Sequence, residues 1–261
     1  MTDIFKRVVQ FKLKWFAKIY LWRIKPYVIV VAGTVGRHWI KEAVKESLTE
    51  KNFSVRTNKK NFNAEIGLPL SILDLPSGEG SFSNWIKILW LAMRKVFSPK
   101  LKSKPFDEFL VLEMAIDRPA NMNYLLSIVK PGTVVLTAVT MIYRENFEDL
   151  DEIALEYRRL IKALPRNGLA ILNFDDERIM GLARRANCRI ITFGLKEGAD
   201  FTAKNIQKIS DGQKFEIGGL RQFVKINRFG KHHLYAALVK EIIRNNFKEH
   251  QKEFFSKLRI L

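Results

Sequence analysis

Cysteine is almost missing from this chain. Of 261 residues only Cys188 is one, which excludes an intrachain disulfide and a thiolate metal site and fits a reducing, cytoplasmic setting. Histidine is nearly as scarce: His38, His232, His233 and His250 do not have the spacing of zinc ligands. There is no uninterrupted apolar run long enough to span a bilayer, and residues 3–25 do not resemble a cleavable signal peptide. Internal repeats, low-complexity tracts and nucleic-acid-binding motifs are also absent. Acidic side chains are few, 27 against 45 Lys and Arg, which leaves a formal net charge of +18. Nucleic acid, anionic lipid or an acidic protein partner each satisfy such a field, nucleic acid on charge alone. The plain alternative is a solvated basic surface.

What is present points to a folded α/β domain. Hydrophobic residues make up 47% of the chain, enough to fill a core, and the length suits one domain or a core domain with short additions. Residues 3–25 read as one basic amphipathic helix. Ile4, Val8, Phe11, Trp15, Ile19 and Trp22 form one stripe, and Phe5, Val9, Leu13, Phe16, Tyr20 and Ile24 form its neighbour. Such a helix can pack on the domain, lie in the interface of an anionic membrane at its inner face, or do both.

Residues 27–32 are a continuous β-branched run and read as a buried strand. Gly33-Thr34-Val35-Gly36 then turns into a helix over 40–48. A strand, a glycine turn and a helix N-terminus in this order cradle phosphate with backbone N–H groups. Further strands are expected at 53–56, 109–114, 133–137, 169–173 and 189–193, with helices at 81–97, 148–164 and 176–186. Residues 200–227 read as an antiparallel extension and 232–257 as a basic terminal helix. The alternation predicts a three-layer α/β fold with a mainly parallel sheet. The divisions expected are 1–26 for the N-terminal helix, 27–230 for the body and 231–261 for the C-terminal helix.

The segments at 32–36, 60–70, 111–114, 171–176 and 230–232, in that order, resemble the central ATP-binding domain of the Mur ligases. Within that family they are most similar to the branch that adds D-alanyl-D-alanine to the peptidoglycan precursor. The resemblance implies ATP as cofactor and an acyl-phosphate route to an amide bond, with Mg²⁺ carrying the phosphoryl charge. It also implies a Lys and a hydroxyl residue after Gly36, where this chain has Arg37 and His38, followed by bulky Trp39. Guanidinium does not replace a compact ammonium there, and imidazole brings no oxygen to a hard metal. Glu113 matches the family's second metal station as a remnant, while Tyr143 and Tyr157 stand where the family has His and a carbamylated Lys. Gly33, Thr34, Gly36, Arg37, Asn173 and His232 then make up the remnant of a nucleotide site, with no catalytic set intact and Mg²⁺ not expected.

Plainer roles are open for several of these residues: Asn173 and Asp175 as caps of the helix near Asp176, His232 and His233 as caps of the last helix, and Trp39 as a plug over the helix N-terminus. The resemblance further implies flanking UDP-sugar and amino-acid modules, which are expected to be missing. The expectation is a catalytically silent Mur-ligase-like domain that binds a protein partner or forms a homo-oligomer. The alternatives are an ATP-dependent ligase completed by a partner chain, and a basic nucleic-acid module.

Overall fold

The structure, a computed structural model, describes residues 3–58, 62, 64–79, 81–98, 108–141, 145–218, 220 and 222–247. The expectations at Tyr143 and beyond Phe247 lie outside the described residues. The chain opens with α1 (Asp3–Ile24), which leads through β1 (Tyr27–Ala32) into α2 (Arg37–Thr49) and β2 (Val55–Thr57). Two helices, α3 (Gly67–Leu73) and α4 (Phe82–Phe97), precede β3 (Phe109–Met114) and α5 (Asn121–Leu126). Alternation continues with β4 (Thr133–Leu136), α6 (Leu150–Lys162), β5 (Leu169–Asn173), α7 (Glu177–Ala183) and β6 (Arg189–Gly194). A meander of β7 (Phe201–Ile209), β8 (Gly212–Gly218) and β9 (Gln222–Ile226) then feeds α8 (Lys231–Asn246).

All the strands form one sheet in the order β2-β3-β1-β4-β5-β6-β7-β8-β9. Pairing is parallel from β2 to β7 and antiparallel between β7, β8 and β9. The central strands are apolar on both faces because helices cover both. Val28, Val30, Leu110, Leu112, Val134 and Leu136 face a core shared with α1 and α3 to α7. Ile29, Val31, Phe109, Val111, Val135 and Ile171 face a second core, closed by α2 and α8. The expected three-layer sheet is therefore the observed one. The strand forecast near 53 falls slightly later, at Val55–Thr57, where pairing with β3 begins opposite Phe109.

The order also places the glycine turn. The chain leaves β1 for β2 and β3 on one side and later returns as β4 on the other. The carboxyl end of β1 is thus a topological switch point, where open α/β sheets leave a crevice.

Candidate functional site at the glycine turn

Two glycines shape the turn after β1. Gly33 has φ of 129°, and a Cβ there would lie 2.9 Å from the Ala138 nitrogen as well as against Thr137 Oγ1. Gly36, with φ of 80°, is the N-cap of α2 and provides no side-chain cap. The turn is fastened to the segment after β4. Thr34 N donates to Ala138 O at 2.9 Å, Thr34 Oγ1 accepts from Thr140 N at 2.9 Å, and Thr137 Oγ1 donates to Val35 O at 2.6 Å. Asn173 supports this from β5, its Nδ2 donating to Thr137 O at 2.6 Å while its Oδ1 accepts from Asp175 N. Both ends of that amide are engaged, so Asn173 braces the β4 and β5 ends.

Arg37 bends back on the turn, its Nη1 donating to the Gly33 carbonyl. His38 is exposed, with Nδ1 3.9 Å from Glu113 Oε1. The closer partner of Glu113 is a residue sequence reasoning passed over. Lys41 is buried, and its Nζ sits 3.0 Å from Glu113 Oε1 and 3.4 Å from Glu42 Oε1, while donating to Asn58 O at 3.3 Å. Asn58 completes the unit, accepting from Glu113 N at 3.0 Å and donating to Glu113 O at 3.3 Å. A signal for Lys41 existed: it lies on the apolar arc of α2 with Val44 and Leu48, where a lysine demands a buried anion.

Tyr157 is fully buried in the core on the α1 side of the sheet, the face opposite Lys41 and α2. Its neighbour Glu156 is equally occupied, accepting from Ala120 N and Met122 N and pairing with Arg159. Helix α6 thus uses these positions for packing and for holding α5, because its amphipathic register turns Ile153, Tyr157 and Leu160 inward. Among the described residues no group of three or more His, Cys, Asp and Glu side chains is placed to hold a metal ion. Among the described residues Glu113 is paired to an ammonium and the turn is followed by Arg and His, groups that offer a hard divalent cation little.

Two capping expectations also change. Helix α7 is capped by Asp176 itself, whose Oδ1 accepts from Arg178 N and Ile179 N and whose Oδ2 accepts from Val139 N. Asp175 instead accepts from Leu195 N, Lys196 N and the Tyr235 hydroxyl at 2.7 to 2.9 Å. Burial and the Asp175 carboxylate both push the Tyr235 phenol upward. The N-cap of α8 is Gly230, without a side-chain bond, so His232 and His233 do not cap it. A cap comes from the residue before the first turn, and these two lie inside it.

His232 and His233 pack on Trp39, at centroid distances of 6.0 and 4.5 Å, and the Arg228 guanidinium lies 4.8 Å from the indole centroid. Burial, then the charges of His232 and Arg228, lowers the pKa of His233. Trp39 therefore leans toward α8, where it walls a cavity of about 330 Å³ lined also by Val35, Gly36, Ile40, Thr137, Ala138, Lys231, His232 and Tyr235. A mostly apolar hollow edged by a few polar groups, beside a helix N-terminus, suits a flat heteroaromatic ring.

A parallel sheet with a glycine turn at its switch point defines a nucleotide-type α/β domain. The sequence model of the Mur ligase middle domain matches residues 101–240, and the chain belongs to that family. Relatives include UDP-N-acetylmuramoyl-tripeptide–D-alanyl-D-alanine ligases. That of Bacillus subtilis is 24% identical over 226 residues, 87% of this chain and 42% of the relative. That of Haemophilus influenzae is 21% identical over 238 residues, 89% and 45%. Among solved structures, MurF from Acinetobacter baumannii has a TM-score of 0.71 at 18% identity, covering 95% of this chain and 49% of that one. MurF from Thermotoga maritima in complex with ADP has a TM-score of 0.70 at 24% identity, covering 90% and 49%. This chain spans less than half the length of these proteins.

Proposed function

We propose that this chain is a non-ligating domain of the Mur ligase family that serves peptidoglycan precursor synthesis in the cytoplasm by binding rather than by making an amide bond. One observation carries the reading: the Glu113 carboxylate, the surviving member of the family's metal stations, holds the Lys41 ammonium at 3.0 Å. A buried carboxylate already neutralised by an internal cation has little to offer a divalent ion. Arg37 adds to this by donating to Gly33 O, which draws its charge toward the turn itself. Removing one preorganised electrostatic element typically costs about 3–4 kcal/mol of barrier.

The cavity beside Trp39 and His232 supports residual binding of an adenine nucleotide, with the base against the indole and the phosphates at the N-terminus of α2. Residues 27–230 form the nucleotide-fold body in this reading, and the terminal helices extend it.

Thermal unfolding with ATP, with and without Mg²⁺, tests it. A ligand at about a hundred times its dissociation constant stabilises by about 2.7 kcal/mol, or roughly 5–10 °C for a domain of this size. The expected result is the same shift with and without Mg²⁺, and phosphate release equal to a buffer control. A shift that requires Mg²⁺, or steady ATP hydrolysis, overturns the proposal.

A further inference from the structure

We propose that α1 and α4 together form a platform that docks this protein on the surface of an anionic lipid bilayer. The inference is independent of whether the glycine turn binds nucleotide. In α1 the inward arc is Val9, Leu13, Ala17, Tyr20 and Ile24, all buried. A second apolar arc, Ile4, Val8, Phe11, Trp15 and Trp22, stays exposed, with Ile4 at 79% and Trp22 at 73%. At about 100° per residue the two arcs lie on opposite sides of the helix. The outward arc therefore contributes nothing to the core.

Helix α4 repeats the arrangement. Trp85, Ile88, Ala92 and Val96 are buried, while Phe82, Ile86, Trp90, Met93 and Phe97 are exposed at helical spacing. The helices lie side by side and run the same way, with the Phe5 and Phe82 rings 4.4 Å apart at one end and Arg23 Nη1 bonded to Val96 O at the other. Single exposed apolar residues are ordinary on a protein surface. Two parallel ridges of them, rich in Trp and Phe, mark an interaction face.

Charge selects the occupant. At helical spacing Arg7, Lys14 and Lys18 fall on one side of the α1 ridge and Lys12 on the other, while Lys87 and Arg94 flank that of α4. The only carboxylate in the two helices is Asp3. The Lys18 ammonium lies 5.0 Å from the Trp15 ring and the Arg94 guanidinium 5.2 Å from Trp90, so cationic heads and aromatic bodies share one surface. Long basic stems reaching up to phosphate while rings sink among acyl chains is the chemistry of an interfacial helix. A second copy of this chain would instead press like charges together on a protein of net charge +18. No helix among the described residues is long and apolar enough to cross a membrane, so the contact is peripheral.

Flotation of the full chain with vesicles tests the proposal, comparing phosphatidylglycerol mixed into phosphatidylcholine with phosphatidylcholine alone. Binding to the anionic vesicles is expected to be at least tenfold stronger, to weaken between about 50 and 500 mM salt, and to move Trp emission to shorter wavelength. Phe11→Ser with Trp22→Ser, and separately Trp90→Ser with Phe97→Ser, should each weaken binding about tenfold or more without altering thermal unfolding. The charge pair Lys12→Glu with Lys87→Glu, at two solvent-facing positions, should remove the preference for anionic lipid even if a Ser variant folds poorly. Equal binding to neutral vesicles, no binding at low salt, or indifference to the α4 variant overturns the two-helix platform. So does self-association that these variants abolish in the absence of vesicle binding, because the face is then a subunit interface.

Discussion

Lys41 and Glu113 are the residues on which the site turns. Desolvating both charges is tolerable only while each has the other. Lys41→Met is therefore expected to cost about 3–5 kcal/mol, because the carboxylate stays buried without its cation. Lys41→Met combined with Glu113→Gln should be much milder, and urea unfolding of the singles and the double closes the cycle. Tyr157 supplies a second case. Returning a lysine there cannot rebuild a metal site, since the position is fully buried in the core. Tyr157→Lys is expected to abolish soluble folding or lower the melting temperature sharply, whereas Arg37→Lys at the half-buried turn should fold normally. Soluble yield and thermal unfolding separate the two. Glu113 was legible in the sequence as a carboxylate ending a strand. Its partner was not, because the pairing depends on β3 lying next to β1, a long-range adjacency.

At the scale of the element, caps and cross-helix ion pairs decide the fine structure. Asp176 does two tasks, satisfying the first turn of α7 and the Val139 N–H. Asp176→Ala should cost about 1–2 kcal/mol, at the upper end for a cap, as read from the shift of the urea midpoint. Glu50, at the C-cap of α2, bonds to Lys240 at 2.8 Å and Arg244 at 2.6 Å on α8. The hydrogen bond from Lys240 holds its carboxyl below the ordinary value of 4.5; burial opposes it, and the hydrogen bond from Arg244 and the two positive charges add to the lowering. A lowered folded-state pKa means the ionised form stabilises above that ordinary value, and the benefit fades as pH falls through the lowered one. Glu50→Gln should thus lose only a few tenths of a kcal/mol at neutral pH, as exposed pairs do, and nothing at about pH 2. Denaturation at the two pH values checks both sign and size. Helix and strand positions were readable from apolar spacing and from Gly and Pro punctuation. The role of the histidines of α8 was not, because Trp39 meets them only once α2 and α8 are packed together.

For the whole molecule, the question is what each terminal helix contributes. α1 opens the chain, yet Val9, Leu13, Ala17 and Tyr20 are in the same core as β1, β3 and β4. Burying one large apolar side chain is worth about 1.5–3 kcal/mol, and a domain's net stability is about 5–15 kcal/mol. Removing residues 1–25 should therefore leave an insoluble or unfolded remainder, measured by soluble yield and circular dichroism. Recovery of a stable, cooperatively melting remainder would show that the helix is an appendage. The sequence by itself determined the layered α/β fold, the glycine turn at the end of β1 and the family, because strand–helix alternation and short-range motifs are local properties of the chain. Only the tertiary structure decided that Lys41 neutralises Glu113, that Tyr157 belongs to the core and that α1 and α4 lie side by side. Those are contacts between residues far apart in the chain, and they exist only once the sheet has set its strand order and the helices have been laid against it.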